Sequence, residues 1–165
     1  MRRFAPLLLA FAIAGCGLRP LYGGGTSGPV ATTLRTVEVG PIDGKVGWLM
    51  RNKLIDRLGE SGAAAPQYRL DVTLSDNITG FGIRGDRAVT RERRTLRARY
   101  QLVSLANGTV VLDATAGSDA GIDVVSSEYA TVAAEQTAAE RLADIVADQI
   151  VARLGTFAAR TAPHP

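Results

Sequence analysis

Seven arginines fall between Arg84 and Arg99 and only Asp86 and Glu92 oppose them, a local charge of +5. A guanidinium presents a planar fork matched to phosphate oxygens. If this stretch is a strand, alternate positions place successive arginines on one face about 7 Å apart. Arg91, Arg93, Arg97 and Arg99 share that parity, and such a ladder suits a multiply phosphorylated lipid head group. The plainer reading is a solvated outer face that discourages edge pairing and balances acidic neighbours such as Asp71 or Asp113. Other chemistry is thinly provided. Covalent hydrolysis needs a nucleophile beside a base, and the chain has one histidine, His164 near its end, and one cysteine, Cys16. No Gly-x-Ser-x-Gly elbow occurs, and neither a His/Cys cluster nor converging carboxylates imply a metal or any other cofactor. Gly80-Phe81-Gly82-Ile83-Arg84-Gly85 matches a dinucleotide fingerprint, but a basic strand follows it where a phosphate-binding helix is required. Its glycines, and the Arg84-Gly85-Asp86 tripeptide, read as a hairpin connection.

Cys16 has a particular context. Met1-Arg2-Arg3 is a positive lead, and Phe4 to Ala14 is an apolar run of secretory-signal length, too short to span a bilayer. Ile13-Ala14-Gly15-Cys16 resembles the lipobox of bacterial lipoproteins, whose signal is cut before a lipidated cysteine. The resemblance implies a signal peptide over 1–15, acyl chains on Cys16 and, because Gly17 and not Asp follows, sorting to the outer membrane with the body in the periplasm. Three acyl chains would exceed the two signals that stable anchoring needs. With the only thiol carrying lipid, no disulfide can form, so stability must come from an apolar core. Of 19 basic residues Arg2 and Arg3 leave with the signal, so 17 face 16 acidic ones and the net charge drops to +1. That balance and the export signal argue against nucleic acid as a partner despite a pI near 9.4.

The elements that must position the arginines follow from periodicity. Residues 16–32, with Pro20, Pro29 and Gly23-Gly24-Gly25, read as a lipidated N-terminus and flexible tether. Thr33 to Val39 reads as a strand with Val37 and Val39 on one face. Asp43 is placed to cap a helix from Gly44 to Leu58 with an apolar stripe of Val46, Leu49, Met50, Leu54 and Leu58, stopped by Gly59. Gln67 to Asp76 alternates around Tyr68, Leu70, Val72 and Leu74, Asn77 to Asp86 reads as a turn, and a long strand returns from Arg87 to Leu105 with Leu96, Ala98, Tyr100 and Leu102 on the core face. Register decides the next turn. A three-residue loop Ala106-Asn107-Gly108 with Gly108 left-handed pairs Leu102 with Leu112 and Tyr100 with Ala114, whereas a two-residue loop sets Leu102 against Asp113. Val103, Leu105 and Val111 lie on the opposite face there, making both sides of the hairpin end apolar. Ser126 or Ser127 caps a helix to Leu154 with Val132, Ala139, Leu142, Ala143, Val146, Ile150 and Leu154 buried. Gly155 stops it, and residues 157–165 read as a disordered tail. The order β-α-β-β-β-α predicts an α+β two-layer sandwich over residues 33–156, a four-stranded mixed sheet with two helices on one face.

Several stretches together resemble a known family. They are Cys16-Gly17-Leu18-Arg19-Pro20-Leu21-Tyr22-Gly23, Tyr68-Arg69-Leu70-Asp71-Val72, Ala88-Val89-Thr90-Arg91 leading to Tyr100-Gln101-Leu102, and Ser127-Glu128-Tyr129-Ala130 opening the helix that holds Ala143-Asp144-Ile145-Val146 and Arg153-Leu154. In order and over nearly the whole mature chain, they are similar to the lipopolysaccharide-assembly lipoprotein family LptE in its alphaproteobacterial form. The resemblance implies the same strand and helix order and no catalysis. It implies a plug in the lumen of the large LptD-like outer-membrane β-barrel that inserts lipopolysaccharide, help in assembling that barrel, and binding of lipopolysaccharide itself. The family's lipid-binding basic residues do not align singly here, so Arg91, Arg93, Arg97 and Arg99 rest on strand parity. Three other readings compete: an auxiliary lipoprotein of a lipid-trafficking ABC transporter, a cell-wall hydrolase using Asp113, Asp119 and Asp123, and a purely structural lipoprotein that differs only in lacking lipid affinity.

Overall fold

The computed structural model describes residues 28–59, 65–83 and 89–161. Over them the order is helix α1 (Pro29–Leu34), strand β1 (Val37–Val39), helix α2 (Gly44–Leu58), strands β2 (Tyr68–Ile83), β3 (Val89–Ser104) and β4 (Val110–Asp123), and helix α3 (Glu128–Thr161). The sheet runs β1-β2-β3-β4, with β1 parallel to β2 and the other pairs antiparallel. This is the α+β fold with a mixed four-stranded sheet that the pattern predicts. Strand parity makes the core. Leu70, Val72, Leu96, Ala98, Tyr100 and Leu102 turn one face of the sheet toward Met50, Leu54 and Leu58 of α2 and Leu142, Val146, Ile150 and Leu154 of α3. Each of the large aliphatic side chains among them contributes about 1.5–3 kcal/mol on burial, so this layer contact dominates stability.

The β3–β4 register is the predicted one, with Leu102 opposite Leu112 and Tyr100 opposite Ala114. Gly108 carries φ 70°, and its N–H donates to the Ser104 carbonyl at 2.9 Å. Helices α2 and α3 run parallel and in step. The Lys45 ammonium donates to Gln136 at 2.7 Å and Lys53 to Asp144 at 2.6 Å, while Arg57 reaches Asp148, each partner 91 residues further along the chain.

Four expectations need correction. Residues Pro29–Leu34, read partly as tether and partly as strand, form a helix, and β1 is only Val37–Val39. Proline presets the first helical φ, and Val30 and Leu34, four apart, are both buried. Thr32 and Thr33 fit because their hydroxyls donate back to the carbonyls of Gly28 and Pro29. The turn expected from Asn77 is instead more strand. β2 stays paired with β3 from Asn77↔Thr95 to Ile83↔Val89, so ladder pairing outweighs the poor strand propensity of Asn77, Gly80 and Gly82. Residues 84–88, which include the Arg84-Gly85-Asp86 tripeptide, lie outside the described residues.

The third correction concerns Gly155, which does not stop α3. It is buried, and the helix continues to Thr161 because Ala158 is buried and the Phe157 ring meets Tyr68 edge-on at 5.9 Å. That packing exceeds the roughly 1 kcal/mol that a mid-helix glycine costs. Of the stretch read as a tail, 157–161 is therefore helical, and 162–165 lies outside the described residues. Last, Val132 is 55% exposed: toward the start of α3 the buried stripe is continued by Ala138 and Thr131, so Val132, one position on, turns to solvent. Ser127 is the cap, its hydroxyl accepting from the Ala130 N–H at 3.4 Å. Asp43 occupies the capping position of α2 without a side-chain hydrogen bond.

Candidate functional site

β3 delivers Arg91, Arg93, Arg97 and Arg99 to the sheet face opposite the helices, with Thr95 between them, and all four are exposed. Strand parity therefore brings the four together. β4 answers with aspartates at matching positions. Arg99 Nη2 lies 3.0 Å from Asp113 Oδ2, Arg97 Nη2 3.7 Å from Asp119 Oδ1, and Arg91 Nε 3.0 Å from Asp123 Oδ1. Gln101 also donates to Asp113 at 2.9 Å, and the hydrogen bond from Arg99, then that from Gln101, holds this carboxyl below its ordinary range. On β2, Arg69 forks onto both oxygens of Asp71. The face that is strongly basic in one segment is thus close to balanced in three dimensions.

Arg93 is the exception. Its guanidinium carbon sits 5.4 Å from the centre of the Phe81 ring, and among the described residues it has no carboxylate partner. Opposite it on β4 stands Gly121, above which space is open, whereas Arg97 lies so close over Gly117 that an added Cβ would come within 2.5 Å of its Cδ. Exposed ion pairs contribute about 0–1 kcal/mol. Phosphate oxygens, which arginine grips in bidentate fashion, can therefore replace the aspartates at small cost.

Arg94, which strand parity sets on the helix-facing side, escaped the sequence reading. Its Nε and Nη2 bind the two oxygens of Asp76 at 2.8 and 2.5 Å, and Nη1 donates to the Glu135 carbonyl of α3 at 2.8 Å. The Asp76 hydrogen bond raises the guanidinium pKa still further, against the effect of desolvation. The signal was available: Arg94 has the parity of Leu96, Ala98 and Tyr100. Glu92 shares it, and its Oε2 is buried with no hydrogen-bond partner among the described residues. Arg94 and Asp76 also line a cavity of about 450 Å³ together with Val46, Trp48, Leu49 and Leu74.

Catalytic geometry is not found at the competing carboxylates. Asp113, Asp119 and Asp123 lie along one strand, about 20 and 13 Å apart by strand rise, too far for a glycosidase pair. Each is also engaged, Asp119 accepting from the Thr95 hydroxyl at 2.7 Å as well. Gly80 to Ile83 is strand, so the dinucleotide fingerprint has no helix to complete it. Among the described residues there is no group of three or more potential metal ligands, and no helix long and apolar enough to cross a membrane. Cys16 and His164 lie outside those residues.

Comparison with known proteins points one way. A family profile described as lipopolysaccharide-assembly, LptE, matches residues 34–154. Among curated proteins none matches the sequence. A candidate lipoprotein from Caulobacter crescentus CB15 superposes with a TM-score of 0.67 at 27% identity, covering 83% of this chain and all of its own. A minor lipoprotein from Acinetobacter baumannii (TM-score 0.60, 14% identity, 78% of this chain and 96% of that one) has the same fold. So does rare lipoprotein B from Shewanella oneidensis (0.59, 10%, 75% and 96%). With most of its length, from Leu34 at the end of α1 to Leu154 in α3, matched by one profile, the chain belongs to the LptE family of lipopolysaccharide-assembly proteins.

Proposed function

We propose that the chain is an outer-membrane lipoprotein that sits in the lumen of the large β-barrel inserting lipopolysaccharide, assists assembly of that barrel, and binds lipopolysaccharide on its arginine face. Residues 1–15 are the signal peptide in this reading, acyl chains on Cys16 hold the protein to the inner leaflet, and the body faces the periplasm. The observation that carries it is the family match over residues 34–154 joined to a sheet face bearing Arg91, Arg93, Arg97 and Arg99 over which, among the described residues, no layer packs. Lipid phosphates exchange with Asp113, Asp119 and Asp123 for the guanidiniums. Arg93 makes the first contact, because it has no described carboxylate to give up and faces the open position at Gly121. The protein's work is binding and positioning, with no bond made or broken.

Two experiments test this. A mild-detergent pull-down of the tagged protein from native outer membranes should recover a large β-barrel in near-equal amount. Recovery of an ATPase transporter in its place would refute the barrel reading. Reversing the four arginines to glutamate should abolish lipopolysaccharide binding with the circular dichroism spectrum unchanged. Arg93→Ala alone should weaken binding about tenfold or more, the loss of one hydrogen-bonded charge. Unchanged binding by both variants would return the ladder to a solvated outer face.

A further inference from the structure

The arginine face is built in columns. β3 carries Arg91, Arg93, Arg97 and Arg99 down the middle, and β4 supplies Asp113, Asp119 and Asp123 on one side. On the other side β2 sets Thr73 opposite Arg99, Ser75 opposite Arg97, Asn77 opposite Thr95 and Thr79 opposite Arg93. These four β2 side chains are exposed and project from the same sheet face as the arginines, because strand positions alternate. None of them is ionisable, and by strand rise the row from Thr73 to Thr79 is about 20 Å long.

Hydroxyl and amide groups both donate and accept hydrogen bonds. Within the row Asn77 Nδ2 donates to Ser75 Oγ at 2.9 Å, which leaves the Asn77 carbonyl oxygen and the Ser75 proton for an outside partner. The Thr73 hydroxyl has no hydrogen-bond partner among the described residues. Asn77 is a poor strand former at an exposed position where threonine would serve the sheet better. At the Thr73 end the row sinks into a depression of about 260 Å³, enough for one sugar ring, framed by the facing pairs Asp71 with Gln101 and Thr73 with Arg99. Its charges are already answered, since Arg69 forks onto Asp71 and Asp113 accepts from both Arg99 and Gln101. Neutral groups, the Thr73 hydroxyl and the Gln101 carbonyl oxygen, are what it offers a ligand. Asp113 holds Arg99 from the β4 side. A phosphate taking its place there leaves the depression on the β2 side open to the sugar that carries it.

We infer that this face reads a phosphorylated saccharide and not phosphate alone: Thr73, Ser75, Asn77 and Thr79 bind sugar hydroxyls, with one ring in the depression, while the β3 arginines hold the phosphates. The inference rests on the lipopolysaccharide reading above and adds the residues that give it selectivity. Every membrane phospholipid has a phosphate, so the arginines alone do not separate a glycolipid from the lipids around it. Specificity is a difference of affinities. A glycerophospholipid head carries no run of hydroxyls to match a row of this length, whereas an oligosaccharide does.

The test titrates the full mature, lipidated chain in nonionic detergent with lipopolysaccharide and, separately, with cardiolipin, a lipid of two phosphates and a single hydroxyl. The variant Thr73→Val, Ser75→Ala, Asn77→Val keeps every charge. It should bind lipopolysaccharide about tenfold or more weakly, the loss of several hydrogen bonds at once, and cardiolipin as the unaltered chain does. Thr73→Val alone should show the same selective loss to a smaller degree, and Thr73→Ser with Asn77→Gln, which keeps the hydroxyl and the amide, should retain affinity for both lipids. Unchanged lipopolysaccharide binding by the triple variant, with its circular dichroism spectrum intact, would overturn the sugar contact. So would an equal loss toward both lipids. Reversal of the four arginines without loss of lipopolysaccharide binding would instead refute the ladder on which the inference rests.

Discussion

Replacing Asp76 by Ala tests the packing between sheet and helices at the least apolar point of their contact. Asp76 and Arg94 are 24% and 13% exposed, and two charge-assisted hydrogen bonds join them. Breaking a fully buried pair from one side costs about 3–5 kcal/mol, because a charge is left without its partner. Here water reaches the carboxylate side and Arg94 keeps its bond to the Glu135 carbonyl, which lowers the expected loss to about 2–3 kcal/mol. In urea, with m about 1–3 kcal/mol/M, that is a fall in midpoint of about 1–2 M at unchanged m. Arg91→Ala provides the comparison. Its pair with Asp123 is 65% and 76% exposed, so its loss should stay within about 0.5 kcal/mol. The double variant Asp76→Leu with Arg94→Met should recover most of the lost stability, since an apolar pair leaves no unpaired charge behind. If Asp76→Ala costs no more than Arg91→Ala, or if the double variant is as unstable as the sum of its parts, the pair does not join the two layers as argued.

Gly47→Ala should destabilise by about 1–3 kcal/mol in the same urea assay although alanine is the better helix former, because the new Cβ would lie 2.6 Å from the Ile42 carbonyl oxygen. Gly108→Ala should cost about 1–2 kcal/mol for its left-handed φ of 70° alone, no atom lying within 4 Å, and Gly108→Asn should cost less. Asp144 titrates below its ordinary value of 3.8, chiefly through the hydrogen bond from Lys53, so its share of stability is present above that value and is lost as the pH falls through the lowered one. Acid unfolding followed by circular dichroism should therefore be shallower for Asp144→Asn below about pH 4.

What could be read in advance depended on whether local pattern and tertiary contact agreed. The β3–β4 register was legible because the two loop lengths send Leu102 against Leu112 or against Asp113, and only the first keeps one apolar face. The ladder Arg91, Arg93, Arg97 and Arg99 was legible for the same reason. Its neutralisation by Asp113, Asp119 and Asp123 was less so, because it requires knowing how far along β4 the pairing continues. α1 is too short to display a period, and its burial depends on α3, more than a hundred positions away. Asn77, Gly80 and Gly155 carry local signals for ending an element, and in each case partners distant in sequence continue it. Gly47 hid its reason altogether, since the helix rule treats glycine as a weakness and here it admits the Ile42 carbonyl.

The parallel course of α2 and α3 gives the domain an electrical axis. A helix carries roughly half a positive charge at its amino end and half a negative one at its carboxyl end, and two dipoles side by side in the same sense add their fields while repelling each other. The bridges from Lys53 and Arg57 to Asp144 and Asp148 offset that repulsion along the seam. Both positive poles lie toward Asp76, with Glu128 in the first turn of α3, and both negative poles toward Tyr68, with Arg57 and Arg160 in the last turns. A chain of nearly balanced charge therefore still has two unlike ends. The arginines at the negative poles temper the field on the side where the chain enters at Gly28, and chain direction, more than composition, decides which pole meets a charged surface.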